Sequence, residues 1–378
     1  MRLIFASVGA YGHTIPLVPL ALAARDAGHE VAFATDLSLH PMLSEAGLNP
    51  MPAGTTVRAA IGEVLRQTPP GARPNASPQA FGSVLARRAI ADLTPVLRTG
   101  KTDLVVYEVL NPGAGIAAGL SGLPAVCHGI GRVSGGPNWR AMSDTWVATA
   151  RESGLSLPAT DPQFFGNPYL DICPPSLQQA DIVALPDRIP MRPAGWCQGA
   201  ELPSSLENRD ASRPLVYLTL GTAFGEAGVL RTAVEGLSRL RADVIVSAGG
   251  GTAAADLGDV PANVLVERWV PQSDLLPHVD LVVSHGGSGT TLESLAHGLP
   301  HLVIPQGADQ FSNAQMVVDA GAGRRVLPAD LTADVVFEHA RALLEDPRAG
   351  AAAGRLRGEI AGMPSPEETV ERLTALVG

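Results

Sequence analysis

The segment Ser284-His285-Gly286-Gly287-Ser288-Gly289-Thr290-Thr291 follows a short apolar run and leads into helical spacing at Leu292, Leu295 and Ala296. Glycines at a strand-to-helix turn let a ligand approach the backbone closely. The free N–H groups of the first helical turn then point at that ligand, and the helix dipole favours negative charge there. A diphosphate suits such a place, and His285 can donate a further hydrogen bond to it. A second candidate lies near the start, where Gly9-Ala10-Tyr11-Gly12-His13-Thr14-Ile15-Pro16 puts His13 in another strand-to-helix turn. An imidazole with its ordinary pKa of about 6.5 accepts a proton at neutral pH. Placed beside a hydroxyl nucleophile, such a base contributes roughly 10² to 10⁴ in rate.

Two look-alikes are set aside. The turn is no Walker A loop, since GxxxxGK[ST] is absent, and no G-x-S-x-G nucleophile elbow, since Thr290 stands where the last glycine belongs. Gly113-Ala114-Gly115-Ile116-Ala117-Ala118 fits the dinucleotide pattern, but His128 to Arg132 offer no acid where the ribose partner belongs. Close helix–sheet packing is the expectation for those glycines.

The elements that must position these residues follow a strand–loop–helix rhythm. Leu3 to Ser7, Glu30 to Thr35, Leu104 to Tyr107 and Ala125 to Cys127 are strand candidates, with a helix over Ile15 to Ala27 ended by Gly28. The rhythm breaks in the proline-rich stretch from Pro186 to Arg213, read as a linker. It restarts with strands at Leu215 to Leu220, Val244 to Ser247, Val264 to Arg268, Leu281 to Ser284 and His301 to Ile304, and a helix over Ala227 to Leu240. Short buried strands alternating with helices imply parallel sheets covered on both faces, which bind ligands at the C-terminal ends of their strands. The expected organisation is an N-terminal α/β domain over 1–197, a linker over 198–212 and a second α/β domain over 213–360. A C-terminal segment over 361–378, amphipathic from Pro366 to Val377, is expected to pack back on the first domain. Thr68 to Pro78 reads as a loop.

Composition excludes several function classes. The net charge of −10 argues against a nucleic-acid partner, which needs a basic face. No apolar run reaches the ~18 residues of a membrane helix, and the expectation is a cytoplasmic protein. Cys127, Cys173 and Cys197 show no metal-ligand spacing, and no D-x-D pair offers a metal clamp for a diphosphate. An acidic chain that binds an anion must therefore handle it locally.

Taken together, Trp269-Val270-Pro271-Gln272, His285 to Thr291 and Pro305-Gln306-Gly307-Ala308-Asp309-Gln310-Phe311-Ser312-Asn313 resemble the donor signature of family 1 glycosyltransferases. The likeness is greatest to the bacterial branch that attaches deoxysugars to macrolides, enediynes and polyketides, and it runs from the first turn to Leu327. The resemblance implies the GT-B fold, two facing Rossmann-like domains. It also implies an inverting transfer from a nucleoside-diphosphate sugar, thymidine first and uridine second, to a hydrophobic aglycone, with no cofactor and no metal. Trp269 is then expected to stack on the base and Val270 to read its edge through backbone atoms. His285 and the amides of Gly287, Ser288, Gly289 and Thr290, with Gly221 and Thr222, should hold the diphosphate. Asp309 and Gln310 should bond sugar hydroxyls. His13 matches the family's base, and Glu108 stands where an Asp orients it, one methylene longer.

The acceptor lining should come from the N-terminal half. Phe81, Trp139, Met142, Trp146, Phe164 and Phe165 are its candidates, although each taken alone reads as ordinary packing. A homodimer or an auxiliary protein is the open partner question, with stable membrane association not expected. Two alternatives stand beside the transferase: a catalytically inactive auxiliary relative, and a sugar-nucleotide epimerase of the same fold, which would need no base facing an apolar acceptor region.

Overall fold

The computed structural model describes residues 1–69, 75–157, 164–196, 201–206, 209–221, 227–249 and 260–377. The chain forms two units, Met1–Trp196 with Met363–Gly378, and Cys197–Gly362.

Among the described residues, the first unit holds seven parallel strands: β1 Arg2–Ala6, β2 Glu30–Thr35, β3 Asn49–Pro52, β4 Leu104–Glu108, β5 Ala125–His128, β6 Tyr169–Asp171 and β7 Arg188–Pro190, in the order β3-β2-β1-β4-β5-β6-β7. Central strand β4 is buried at every position, the pattern of a strand covered on both faces. The edges differ. β3 reads Asn-Pro-Met-Pro, and β7 lies inside the stretch expected to be linker. Strand β6 ends on fully buried Asp171, whose Oδ2 accepts from Arg188 Nε at 2.8 Å, tying β6 to β7. Burial still pushes that carboxyl above its usual range.

Gly113 and Gly115, the dinucleotide look-alike, serve packing. A Cβ at Gly113 would strike the Ala86 backbone, and one at Gly115 would lie 2.7 Å from the Tyr107 ring. The helix Pro366–Ala375 belongs to this unit, where it packs on the helix Val18–Asp26. Ser365 and Glu368 close its N-terminus as a capping box.

The described residues of the second unit form six parallel strands: β8 Leu215–Thr219, β9 Asp243–Ser247, β10 Val264–Glu267, β11 Leu281–Ser284, β12 His301–Val303 and β13 Gly323–Arg325, in the order β10-β9-β8-β11-β12-β13. Both sheets reverse direction beside their first strand, between β1 and β4 and between β8 and β11. At such a switch the connections leave to opposite faces and open a crevice at the strand C-termini. The turns bearing His13 and His285 begin at those ends. Among the described residues, no helix is long and apolar enough to cross a membrane.

Candidate active site

In the first unit, β1 runs into a short helix, Tyr11–Thr14, that carries His13. A buried hydroxyl cluster fixes this turn: Ser7 Oγ lies 2.7 Å from Thr14 Oγ1 and donates to Thr35 Oγ1 at 3.2 Å. Gly9 allows a tight approach, since a Cβ there would lie 2.6 Å from Asp36 Cβ, while one at Gly12 would meet open space. Across the switch, β4 ends on Glu108. His13 Nδ1 is 3.2 Å from Glu108 Oε1, with the carboxylate fully buried and the imidazole 17% exposed. Glu108 Oε1 also accepts the Leu110 N–H at 2.8 Å. The extra methylene of Glu is thus absorbed, and the expected pair is in contact.

Of the acceptor candidates, Phe81, itself 8% exposed, reaches this place. Its ring centroid lies 5.7 Å from that of His13, on a π-helical segment, Ala80–Leu85. Met142 packs partly buried against the same small core. The others are corrected to core. Trp146 and Phe164 are fully buried, Trp139 nearly so, with Trp139 and Trp146 packed edge to face and Phe164 stacked on Tyr169. A ring with no accessible surface offers a ligand nothing. Phe165 sits at φ 58 beside Tyr107, packed against that core. Sequence reasoning passed over Tyr11 and Leu37, large apolar residues exposed just beyond the ends of β1 and β2. Their only signal was position.

In the second unit, His285 follows β11, and Gly287 is the extended N-cap of the helix Ser288–Ala296. Gly221 and Gly287 make room for the imidazole, since a Cβ on either would lie 2.6 Å from it. Removal from water holds that imidazole below its usual range, while Asp309 and the Thr219 backbone pull the other way. Gly286 has φ +84, with Val303 so close that any Cβ would collide. Gly287, Ser288, Gly289 and Thr290 all keep some exposure, so a ligand can reach the first helical turn. Thr222 lies outside the described residues.

Trp269 is 46% exposed, which disposes of an ordinary core role, whereas the Val270 side chain is core. Asp309 occupies the N-cap of the helix Gln310–Asp319 without capping it. Its Oδ2 accepts instead from Ser288 Oγ at 2.7 Å and Asn313 Nδ2 at 2.9 Å. Gln310 is nearly buried, and its Oε1 accepts the N–H groups of Gln306 and Gly307. That oxygen shapes the loop and is taken up by the two backbone groups.

Sequence reasoning also missed the supports. Glu293 accepts from Gln272 Nε2 and Ser273 Oγ, and Thr290 Oγ1 donates to Gln272 Oε1. This joins the Trp269 segment to the phosphate-type helix, and desolvation holds the Glu293 carboxyl above its usual range. Beneath the turn, the Gly286 N–H donates to Ser284 Oγ, itself 2.8 Å from Nε2 of fully buried His301. Burial pushes that imidazole down to about 3. Among the described residues, no group of three or more His, Cys, Asp or Glu side chains is placed to hold a metal ion.

Two Rossmann-like units, one with a carboxylate-backed histidine at its switch and the other with a glycine-rich turn opening a helix at its own, define a glycosyltransferase of the GT-B class. Residues 231–376 match the C-terminal domain of the erythromycin biosynthesis protein CIII-like family. L-demethylnoviosyl transferase of Streptomyces niveus is 31% identical over 99% of this chain and 98% of its own. Among solved structures, the glycosyltransferase SnogD from Streptomyces nogalater aligns with TM-score 0.80 and 30% identity, covering 100% of this chain and 99% of its own. The glycosyltransferase VinC in complex with DTDP gives 0.82 and 26%, with the same coverage. The chain belongs to this family of antibiotic-tailoring glycosyltransferases.

Proposed function

We propose that the chain moves a deoxysugar from a nucleoside diphosphate to a hydroxyl of a hydrophobic polyketide-type aglycone, with inversion and without a metal. The carrying observation is the 3.2 Å contact between His13 and Glu108 at the switch end of the first sheet. With Nδ1 turned to the carboxylate, Nε2 is the atom that takes the hydroxyl proton. The oxygen attacks the anomeric carbon, the bond to the diphosphate breaks, and the carboxylate stabilises the imidazolium. One displacement inverts the anomeric centre.

The leaving diphosphate is stabilised by the amides of Gly287 to Thr290, the dipole of the helix Ser288–Ala296 and His285. Trp269 stacks on the base, and Asp309 with the Gln310 amide nitrogen reads the sugar. Thymidine is the favoured base because VinC holds DTDP. Tyr11 and Leu37, exposed beyond the ends of β1 and β2, with partly buried Met142, offer apolar surface to the aglycone, and Phe81 backs the His13 ring from the core.

The test is turnover of dTDP-deoxysugars with a panel of polyketide aglycones, with and without EDTA, in wild type and His13→Ala. Transfer insensitive to EDTA, and abolished in His13→Ala while dTDP still binds, is expected. Near-wild-type turnover by His13→Ala would overturn the base assignment, and loss of activity in EDTA the metal-independent reading.

A further inference from the structure

Asn313 is 1% exposed and lies one helical turn after Asp309. Its Nδ2 has three acceptors within reach: the Gly286 carbonyl at 2.8 Å, Asp309 Oδ2 at 2.9 Å and Ser288 Oγ at 3.1 Å. An amide nitrogen carries two hydrogens. Ser288 Oγ already donates its own proton to Asp309 Oδ2. The assignment that satisfies every group sends one Asn313 hydrogen to the Gly286 carbonyl and the other to the Asp309 carboxylate. The Gly286 N–H is held by Ser284 Oγ at 2.9 Å, so both polar groups of the left-handed glycine are clamped by side chains.

We propose that Asn313 is a positioning residue that couples the two ends of the donor site. One buried amide holds the turn that receives the diphosphate and also orients the carboxylate that reads the sugar. The inference rests on the donor-site reading above and adds to it a residue that need not touch the substrate. Ser288 completes the coupling. Its hydroxyl sits at the start of the anion-binding helix, so a diphosphate there draws the Ser288 proton away from Asp309. Asn313 then remains the donor that keeps Oδ2 in place, while the carboxylate accepts a sugar hydroxyl.

The test is a double-mutant cycle on Asn313→Ala and Asp309→Ala. Two quantities are read, kcat/KM for the dTDP-sugar and the inhibition constant of dTDP alone. Hydrogen bonds to charged groups are worth enough for losses on the order of 10- to 100-fold in kcat/KM for either single variant. The expected result is strong non-additivity, with Asn313→Ala costing less than about threefold further in the Asp309→Ala background. For Asn313→Ala, the loss toward the dTDP-sugar should exceed the loss toward dTDP. Losses that multiply, or that are equal for the two ligands, would overturn the coupling.

Because Asn313 is buried, Asn313→Asp is made in parallel. It keeps the shape, removes both hydrogens and sets a second carboxylate beside Asp309. A folded Asn313→Asp protein, by its melting transition, should be at least as impaired as Asn313→Ala, and wild-type kcat/KM in it would sink the proposal. Absence of any dTDP binding or turnover by wild type would instead be a failure of the functional reading itself.

Discussion

Glu108→Gln separates charge from geometry at the base. The buried Oε1 accepts the Leu110 N–H at 2.8 Å and lies 3.2 Å from His13 Nδ1. A glutamine at 108 is held with its oxygen at that place, because its NH₂ group cannot accept from the Leu110 N–H. The variant therefore keeps an acceptor for Nδ1 and loses only the negative charge. At 3.2 Å and an effective dielectric of about 20, Coulomb's law gives roughly 5 kcal/mol between unit charges. The imidazole is 17% exposed and its charge is spread over the ring, so about 3 kcal/mol is a fair share. That is ~10²-fold in rate at about 1.4 kcal/mol per decade. The stabilised imidazolium exists only once the hydroxyl proton has moved, so the loss should fall on kcat and leave the donor KM within about twofold. Steady-state kinetics at saturating acceptor, with dTDP affinity by calorimetry as control, measures both. A Glu108→Gln enzyme within threefold of wild-type kcat would refute the carboxylate's electrostatic role.

Trp269→Ala, at an exposed position, should weaken dTDP binding by about 5- to 150-fold, the usual worth of base–aromatic stacking, with the melting temperature unchanged; calorimetry and a thermal melt check the two together. The His285 imidazole is held below its usual range, so it is neutral at pH 7 to 8, and a bound diphosphate favours its protonated form. Affinity for dTDP should therefore rise as pH falls through the imidazole range and level off below the free-protein pKa. The ratio of wild-type to His285→Gln affinity, which cancels the ligand's own titration, should carry that dependence. Gly113→Ala places a methyl against the Ala86 backbone and should destabilise the first unit by about 1–3 kcal/mol, several degrees in a thermal melt, without altering dTDP affinity.

The central strands were legible because they are apolar at nearly every position. The expected strand Leu3 to Ser7 is Arg2–Ala6, and Leu281 to Ser284 is unchanged. The strands passed over lie toward the sheet edges, where sequence and pairing disagree. Strand β3 carries Pro50 and Pro52, β7 carries Arg188 and Pro190, and β13 is Gly-Arg-Arg. Proline is tolerated at an edge because one side of the strand makes no ladder bonds. Three residues are too few to show alternation. Strand β6 hid for another reason, since its charged Asp171 is buried against Arg188, a partner 17 positions away that no local window includes.

The same contrast runs through the site. The groups proposed to act on a ligand directly are tied to backbone conformation, and backbone conformation leaves marks in sequence: glycines where a ring or a positive φ needs them, a histidine at each switch. Groups that act through others leave no such mark. Asn313, Ser284, His301 and Glu293 look like ordinary helix and strand residues, and only the hydrogen bonds at Gly286, Asp309 and Gln272 reveal them. The acceptor lining failed for a related reason. Aromatic residues make up only 4% of the chain, and each is a rare block of apolar area. Yet Trp139, Trp146 and Phe164 fill the core, where they bury the most area per side chain, and the exposed apolar surface just beyond β1 and β2 is left to Tyr11 and Leu37. The acidic chain raised the question of how an anion is held. On the proposed reading the anion is held by oriented amides and His285 and not by a basic patch, so substitutions that change net charge elsewhere on the second unit should leave dTDP affinity alone.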